Sequence, residues 1–525
     1  MKTPKLVDLK LEDVEALLDR VEKGTLQEGD YEMIKAMVET IAFLSQAVDD
    51  KATAIKRLLR IIFGASTETR EKLFKAAGKP ENAIEQQSEG ETKKPRGHGK
   101  NGAADYVGAE LIKVPIPNLK VGTSCPECPK GKVYPVKKSG IIVRFLGMAP
   151  LAAKIYELEK MRCNLCGVVF TADAGVGSAR YDETAGAMIA ILKYGSGVPF
   201  YRIEKLQESL GIPLPASTQW DIIEKAADRG TYPAYREMIR QAAQGSVIHN
   251  DDTPMKILDL MKEGPEKSSR TGMFTTGVVS TVDDHKIALF FTGQKHAGEN
   301  MADLLKQRNA ELDPPIQMCD ALSRNQPKEF ETILSNCLVH GRRNFVDVAS
   351  NFPEETSHVI DKIGMVYKND HMAKEQNLSL QERLHFHQRE SGPVMKDLRQ
   401  WLSEQFVHKK AEPNSGLGKA IAYMLKHWDA LTLFLRVPGA PLDNNICEQA
   451  LKKLILFRKN SLFFKTEHGA FIGDMFMSLI HTCNLGNVNP FDYLTALQKY
   501  SSEVFKNPGN WMPWNYQNNI LINDS

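Results

Sequence analysis

Val247-Ile248-His249-Asn250-Asp251-Asp252-Thr253-Pro254 carries a short apolar run into two carboxylates and stops at a proline. This pattern predicts a β-strand that delivers acid groups to its end, with Pro254 breaking the ladder beyond it. A carboxylate in such a place is costly to bury unless a cation pairs with it, and a divalent metal ion is the natural partner. Two further acids downstream are candidate partners. Asp320 comes after Pro315-Ile316-Gln317-Met318-Cys319, and Glu448 lies in Leu442-Asp443-Asn444-Asn445-Ile446-Cys447-Glu448. Side chains alternate along a strand, so only one of Asp251 and Asp252 can face inward, and periodicity does not choose between them.

Working outward, strands are expected at Thr271–Val282 and Lys286–Phe291, with Asp283-Asp284 as the hairpin turn between them. A helix from Gly298 to Arg308, a fourth strand ending at Asp320 and a helix from Lys328 to Ser335 complete the series. Three antiparallel strands, a helix and a parallel strand form the ribonuclease H-like order, which sets the ends of the first and fourth strands side by side. Residues 345–435 are polar and helical, too long for a loop, and are expected to form an insertion with its own small core. His385 and His387 fall within it and are expected on the surface. Asn444 to Phe457 reads as a helix capped by Asp443, with Glu448 on its second turn. Cys447 and Cys483 read as small core residues.

At 525 residues the chain exceeds a single core, and 42% hydrophobic with 25% charged residues is ordinary for a globular protein. No run of eighteen apolar residues and no signal-peptide core occur, so a cytoplasmic, nucleoid-associated protein with no membrane partner is expected. The eight cysteines are too few for a disulfide scaffold. Four of them form two close pairs, Cys125-Pro126-Glu127-Cys128 and Cys163-Asn164-Leu165-Cys166. Two such knuckles can supply a tetrahedral structural zinc site, with strands expected at Ile141–Phe145 and Lys154–Leu158. The net charge of +2 hides eight Lys/Arg against two acids between Cys128 and Cys163, a local excess that points to a polyanion.

The rest of the N-terminal half is organised for assembly and DNA. A heptad pattern places Ile34, Ile41, Val48, Ile55 and Ile62 at a, and Met37, Leu44, Lys51 and Leu58 at d. That predicts a two-stranded parallel coiled coil, or else an amphipathic helix packed on its own domain. Residues 78–105 form a polar linker whose Lys93, Lys94, Arg96 and Lys100 can lie along phosphates or serve as a solvated tether. From 179 to 245 the chain reads as helical: Thr184–Tyr194, Tyr201–Leu210, a turn at Ile212-Pro213-Leu214-Pro215, then a helix through Trp220 to Ala227 capped by Ser217 or Thr218. That order is compatible with a helix-turn-helix DNA-binding segment and equally with a helical hairpin that binds nothing.

His249-Asn250-Asp251-Asp252-Thr253-Pro254, Cys319-Asp320-Ala321-Leu322-Ser323-Arg324-Asn325, Cys337-Leu338-Val339-His340-Gly341-Arg342-Arg343-Asn344-Phe345 and Leu442–Glu448 followed by Arg458-Lys459-Asn460 together resemble the transposases of the insertion-sequence-66 family. The resemblance takes in most of the chain. It implies a DDE transposase that binds element end repeats and target DNA. It also implies Asp251, Asp320 and Glu448 as the triad that holds two Mg²⁺ (or Mn²⁺) ions, and selects Asp251 over its neighbour. Asp252 and His340 are then possible active-site residues. Arg342, Arg343, Lys452, Arg458 and Lys459 are candidate DNA contacts, with the linker cations beside them. Lys452 lies four residues after Glu448, where a local Glu–Lys pair is the alternative. The chain departs from the family pattern in having Asp252 for a glutamate, and Phe457 and Ser461 where glycine and tryptophan are expected. Cys337 and His340 have metal-ligand spacing but no second pair in sequence, so no further zinc is expected there.

The expected architecture is multidomain α+β. It runs from a helical, coiled-coil dimerisation region (1–77) and a basic linker (78–105) to a four-cysteine zinc module (106–178) and the helical segment (179–245). The catalytic core follows in two parts (246–344 and 436–525) around an all-α insertion (345–435). The expected function is Mg²⁺-dependent cleavage and strand transfer by a homodimer or larger assembly, with possible accessory proteins. The competing reading is a non-catalytic, zinc-containing DNA-binding regulator or domesticated derivative.

Overall fold

The structure, a computed structural model, describes residues 149–162, 169–175, 179–262, 270 and 272–523, short stretches at 121–124 and 132–134, and scattered positions between 17 and 35. Nearly all of the heptad pattern, the basic linker cations and Cys125, Cys128, Cys163 and Cys166 lie outside these residues. The chain divides into one unit of Met1–Lys79 with Ala153–Ser525 and a second of Pro80–Ala152. In the second unit, Ser124 and Lys132 form an antiparallel bridge. In the first, strands β1 (Lys160–Arg162) and β2 (Val169–Thr171) pair antiparallel. The strand expected at Lys154–Leu158 is not formed. Ile155 is 97% exposed, so its β-branched pattern has no buried face to pack, and pairing begins at Lys160 instead.

Four helices follow: α1 (Glu183–Ala190), continued by a π-turn at Ile191–Gly195, α2 (Phe200–Ser209), α3 (Ala216–Ala226) and α4 (Tyr232–Ala242). The cap expected from Ser217 or Thr218 is corrected. Helix α3 already starts at Ala216 behind Pro215, with no side-chain cap, so both hydroxyls lie within its first turn. Its inner face buries Gln219, Ile222, Ile223 and Ala226, and Gln219 donates to the carbonyls of Phe200 and Leu214, pinning the α2–α3 turn.

The centre of the first unit is a five-stranded mixed sheet in the order β5-β4-β3-β6-β7. Its strands are β3 (Val247–Pro254), β4 (Phe274–Val282), β5 (His285–Gly293), β6 (Ile316–Cys319) and β7 (Ile333–Asn336). The first three run antiparallel, with Asp283 at φ +49° in the tight turn between β4 and β5, a conformation aspartate tolerates better than most residues. Helix α5 (Ala297–Leu305) then crosses over to β6, which lies parallel to β3. The helix expected at Lys328–Ser335 is replaced by β7, parallel to β6. Its four residues are too few for helical and strand periods to be told apart, and the open edge of β6 decides the outcome.

The outer edge of β5 would expose unpaired backbone N–H groups, and helix α11 (Glu467–Leu485) covers it. Asp474, Ser478 and Thr482 stand four residues apart on α11 and accept from the backbone N–H of Thr292, Phe290 and Ala288, which stand two apart on the strand. The steps match, because four helical residues rise about 6 Å and two strand residues about 6.7 Å. Substituting Ser478→Ala strands the Phe290 N–H, and denaturant unfolding is expected to show a loss of about 1–3 kcal/mol.

Burial pushes the Asp474 carboxyl up to about 7 from 3.8, against the hydrogen bonds from Thr292. A folded-state value above the unfolded one favours folding at low pH, and that contribution drains away as pH rises from about 4 through about 7. Asp474→Asn is expected to flatten this part of the stability–pH curve measured by thermal unfolding. Cys447 and Cys483 are fully buried, as their size suggested.

Between β7 and the last part of the sheet layer lies a helical region: α6 (Leu338–Val348), α7 (Pro353–Glu375), α8 (Leu380–Val407) and α9 (Gly416–Lys426). Its core is not separate. Val359, Ile363, Leu398, Leu402, Ile421 and Met424 form one cluster with Ile316 of β6, Leu338 and Leu442. His387 is buried rather than at the surface, whereas His385 is exposed. His387 sits between Asp370 (3.2 Å) and the Ser391 hydroxyl (3.0 Å), and Arg383 and Lys374 pair with the same Asp370 carboxylate. This cluster ties α7 to α8.

Helix α10 (Asn445–Ser461) then crosses β3 and β4, ahead of α11 and α12 (Pro490–Lys499). Among the described residues no helix is long and apolar enough to cross a membrane.

Candidate active site

Residues directly opposite across a strand pair share a face of the sheet. Asp251 lies opposite Gly277, and Asp252 opposite Thr276. At Gly277 α10 packs directly on the sheet. A Cβ there would meet Leu451 at 2.9 Å, and the Cys447 thiol donates to the Gly277 carbonyl at 3.3 Å. The pleat therefore turns Asp251 toward the helix that carries Glu448. Asp252 turns to the opposite face, where His296 meets its carboxylate at 3.0 Å and Arg324 at 3.4 Å, and its side chain is 1% exposed. Asp252 is fully engaged there.

Asp320 follows β6 directly. The register pairs Val247 with Ile316 and His249 with Met318, and two further places set Asp251 beside Asp320. One side chain joins them: the Asn325 amide donates to Asp320 Oδ1 and, at 3.5 Å, to Asp251 Oδ1. Burial, with the negative charges of Asp320, Asp252 and Glu448 around it, pushes the Asp251 carboxyl up to about 7. Glu448 is half-buried, and its Oε1 has no hydrogen-bond partner.

A buried polar network lies behind these acids. Asn250 Nδ2 donates to the Asn325 carbonyl at 2.8 Å, and Gln317 Nε2 donates to Asn250 Oδ1 at 2.9 Å and to the same carbonyl at 2.7 Å. Asn444, immediately before α10, donates to the Asn250 carbonyl at 3.2 Å. Its Oδ1 lies 3.0 Å from His249 Nδ1. Burial pulls His249 down to about 4, so the ring is neutral and Nδ1–H donates. Because the Asn444 side chain is spent on β3, Asp443 takes the first free helix N–H, that of Asn445, at 3.0 Å. The loop bearing Asp320, the strand bearing Asp251 and the helix bearing Glu448 are thus sewn together by amides. Sequence reading assigned these amides no role, since asparagines at strand ends look like turn formers. Tyr423 of α9 was likewise missed. The Ala321 N–H donates to its hydroxyl beside Asp320.

The remaining predicted site residues fall in different places. His340 is half-buried and faces Glu448, with Nδ1 to Oε1 at 3.8 Å. Arg342 and Arg343 are half-buried on α6, and Lys452 and Lys459 are exposed on α10. Arg458 donates to the Thr253 hydroxyl at 3.1 Å and to the Pro254 carbonyl, clamping α10 to the end of β3. Phe457 is buried and stacks on Tyr194. Lys193 lies 4.6 Å over the Phe457 ring and donates to Ser461 at 2.9 Å, so two of the three departures from the family pattern serve one lysine pocket.

A family model described as "Transposase IS66 family" matches residues 178–471, the span that holds all of this geometry. The chain belongs to the IS66 transposase family. It is 25% identical over 345 residues to the uncharacterized protein y4jD of Sinorhizobium fredii (strain NBRC 101917 / NGR234), covering 63% of this chain and 65% of that protein. It is 23% identical over 425 residues to the uncharacterized protein y4hP of the same strain, covering 75% and 74%. No solved structure matches the chain.

Proposed function

We propose that this IS66-family chain is a DDE transposase whose Asp251, Asp320 and Glu448 hold divalent metal on a ribonuclease H-like core, and that it cuts DNA at element ends and joins the ends to target DNA. The observation that carries the reading is the shared Asn325 amide, which gathers Asp251 and Asp320 on the sheet face crossed by the helix of Glu448. The sheet order, with β3 and β6 parallel at its centre, agrees with that core.

The donor set fits the ion. Mg²⁺ and Mn²⁺ take oxygen ligands, and three acids this close, one of them pushed up to about 7, repel one another until a cation neutralises them. When bound, two such ions lower the pKa of an attacking water or 3′-hydroxyl and stabilise the leaving oxygen of a phosphodiester. The chain's own part is positioning. Asn325 orients two carboxylates, Asn444 fixes the start of α10 against β3, and Arg458 fixes its other end. A purely DNA-binding role leaves this half-buried acid cluster without a use while its repulsion persists.

The four cysteines as a zinc site, the heptads as a dimerisation element and the linker cations as DNA contacts belong to the same proposal. Incubating the protein with DNA that bears candidate end repeats is expected to give nicks with Mg²⁺ or Mn²⁺ and none with EDTA. Metal-independent nicking, or none under any metal, would reject the catalytic reading. Metal analysis of Cys163→Ser is expected to show loss of one zinc per chain, and an unchanged content would remove the four-thiolate site.

A further inference from the structure

Beside the two aspartates lies a second set of donors of different chemistry. Cys337 precedes α6 as its N-cap and His340 is the third residue of that helix, the two positions whose side chains converge at a helix start. Glu448 approaches from α10. The two helix starts are joined, since Leu338 N–H donates to the Leu442 carbonyl at 3.0 Å and Asn444 N–H to the Cys337 sulfur at 3.3 Å. One donor atom from each of Cys337, His340 and Glu448 lies within 4.8 Å of the other two.

Two of these donors are idle. His340 Nδ1 and Glu448 Oε1 are buried from solvent without a hydrogen-bond partner, yet face each other at 3.8 Å, too far for a hydrogen bond. Ligands on one tetrahedral zinc-class ion stand ~3.5 Å apart, as bond lengths of about 2.0–2.3 Å require. The cluster is therefore within a small closure of a coordination shell. Buried polar groups left unpaired cost free energy, and a shared ion satisfies both at once.

We propose that Cys337, His340 and Glu448 form a binding site for a borderline-soft divalent ion of the zinc class, separate from the aspartate pair and sharing only Glu448 with the proposed catalytic set. Thiolate and imidazole select such an ion over Mg²⁺, which takes oxygen ligands. His340 and Cys337 lie at the start of α6, whereas Asp251 lies on β3 and Asp320 directly after β6. An ion held by the former pair engages the carboxylate that the latter pair needs. Zinc-class ions then oppose the magnesium-supported reaction, a consequence that rests on the function proposed above.

Binding is tested without DNA by titrating the full chain with Co²⁺ and following the sulfur-to-cobalt charge-transfer band. All variants keep the four N-terminal cysteines, so differences from the parent isolate this site. Cys337→Ser and His340→Gln are each expected to lose one equivalent of bound cobalt per chain together with its charge-transfer intensity, while Asp251→Asn keeps both. Far-ultraviolet circular dichroism verifies folding, and the half-exposed His340 keeps the test decisive if the buried Cys337 does not tolerate serine. Unchanged binding in His340→Gln, or equal loss in Asp251→Asn, would overturn the proposal. In Mg²⁺-supported nicking, micromolar Zn²⁺ is expected to inhibit the parent by about tenfold or more, as the stronger binding of zinc over magnesium at sulfur and nitrogen ligands implies. A parent that never nicks counts against the proposed function alone, and the cobalt titration still decides this site.

Discussion

Asp320→Asn is expected to abolish metal-dependent nicking, by about a thousandfold or more, while leaving the protein as stable as the parent. The loss follows from removing one carboxylate of the proposed metal-holding set, where ~4 kcal/mol of transition-state stabilisation is about three decades in rate. The preserved stability follows from the surroundings. Asn325 donates to Asp320 Oδ1 and the Leu322 N–H donates to the same oxygen at 3.2 Å, and an asparagine carbonyl can accept both. Asp320 is also one of the negative charges that hold the Asp251 carboxyl up, so the substitution relieves repulsion in the metal-free protein. Nicking rates and thermal unfolding on one preparation check both halves. A variant that cuts at the parent rate would remove Asp320 from the site, and one that unfolds would assign it a structural role.

Gly298→Ala is expected to damage both folding and catalysis, although it lies on α5 and touches none of the three acids. A Cβ at this position would stand 2.3 Å from the Gln326 carbonyl oxygen and 2.7 Å from that of Arg324. Alanine is worth about 1 kcal/mol over glycine inside a helix, but it cannot be accommodated here without moving backbone. The overpacking is expected to cost about 1–3 kcal/mol by denaturant unfolding. The displaced loop carries Asn325, whose amide gathers Asp251 and Asp320, and Arg324, which pairs with Asp252. Nicking is therefore expected to fall even at temperatures where the variant stays folded. Gly364, where an added Cβ meets nothing within 4 Å, is the control.

These expectations show which parts of the molecule could be read from sequence. The acid-bearing strand, the hairpin at Asp283-Asp284 and the run before Asp320 were legible because period-two apolar patterns and a turn pair are local signals. Strand β7 was not, because four residues between a crossover and a helix carry no period, and only the edge of β6 makes Ile333–Asn336 a strand. Alternation already sends Asp251 and Asp252 to opposite faces, but only the pairing of Asp251 with Gly277, invisible in a single strand, shows which of them faces α10.

The amide network was hidden for the same reason. Asn250, Gln317, Asn325 and Asn444 meet across separations of up to 194 residues, and none of them alone points to the others. His387 read as a surface residue because the acid it meets, Asp370, comes from another helix. Arg458 read as a DNA cation, yet its guanidinium holds Pro254, so its loss is a question of helix placement as much as of charge. Glu448 shows a related limit: nothing in Cys337-Leu338-Val339-His340 says that a glutamate more than a hundred residues later supplies the third donor.

Anomalous diffraction from crystals of the protein bound to end-repeat DNA and soaked in Mn²⁺ is the most direct measurement. Two manganese peaks about 3.5–4 Å apart, with Asp251, Asp320 and Glu448 as their protein ligands, are the predicted result. Manganese bound elsewhere, or carboxylates that stay turned away from any ion at the scissile phosphate, would contradict the proposal that these three acids cut and join DNA.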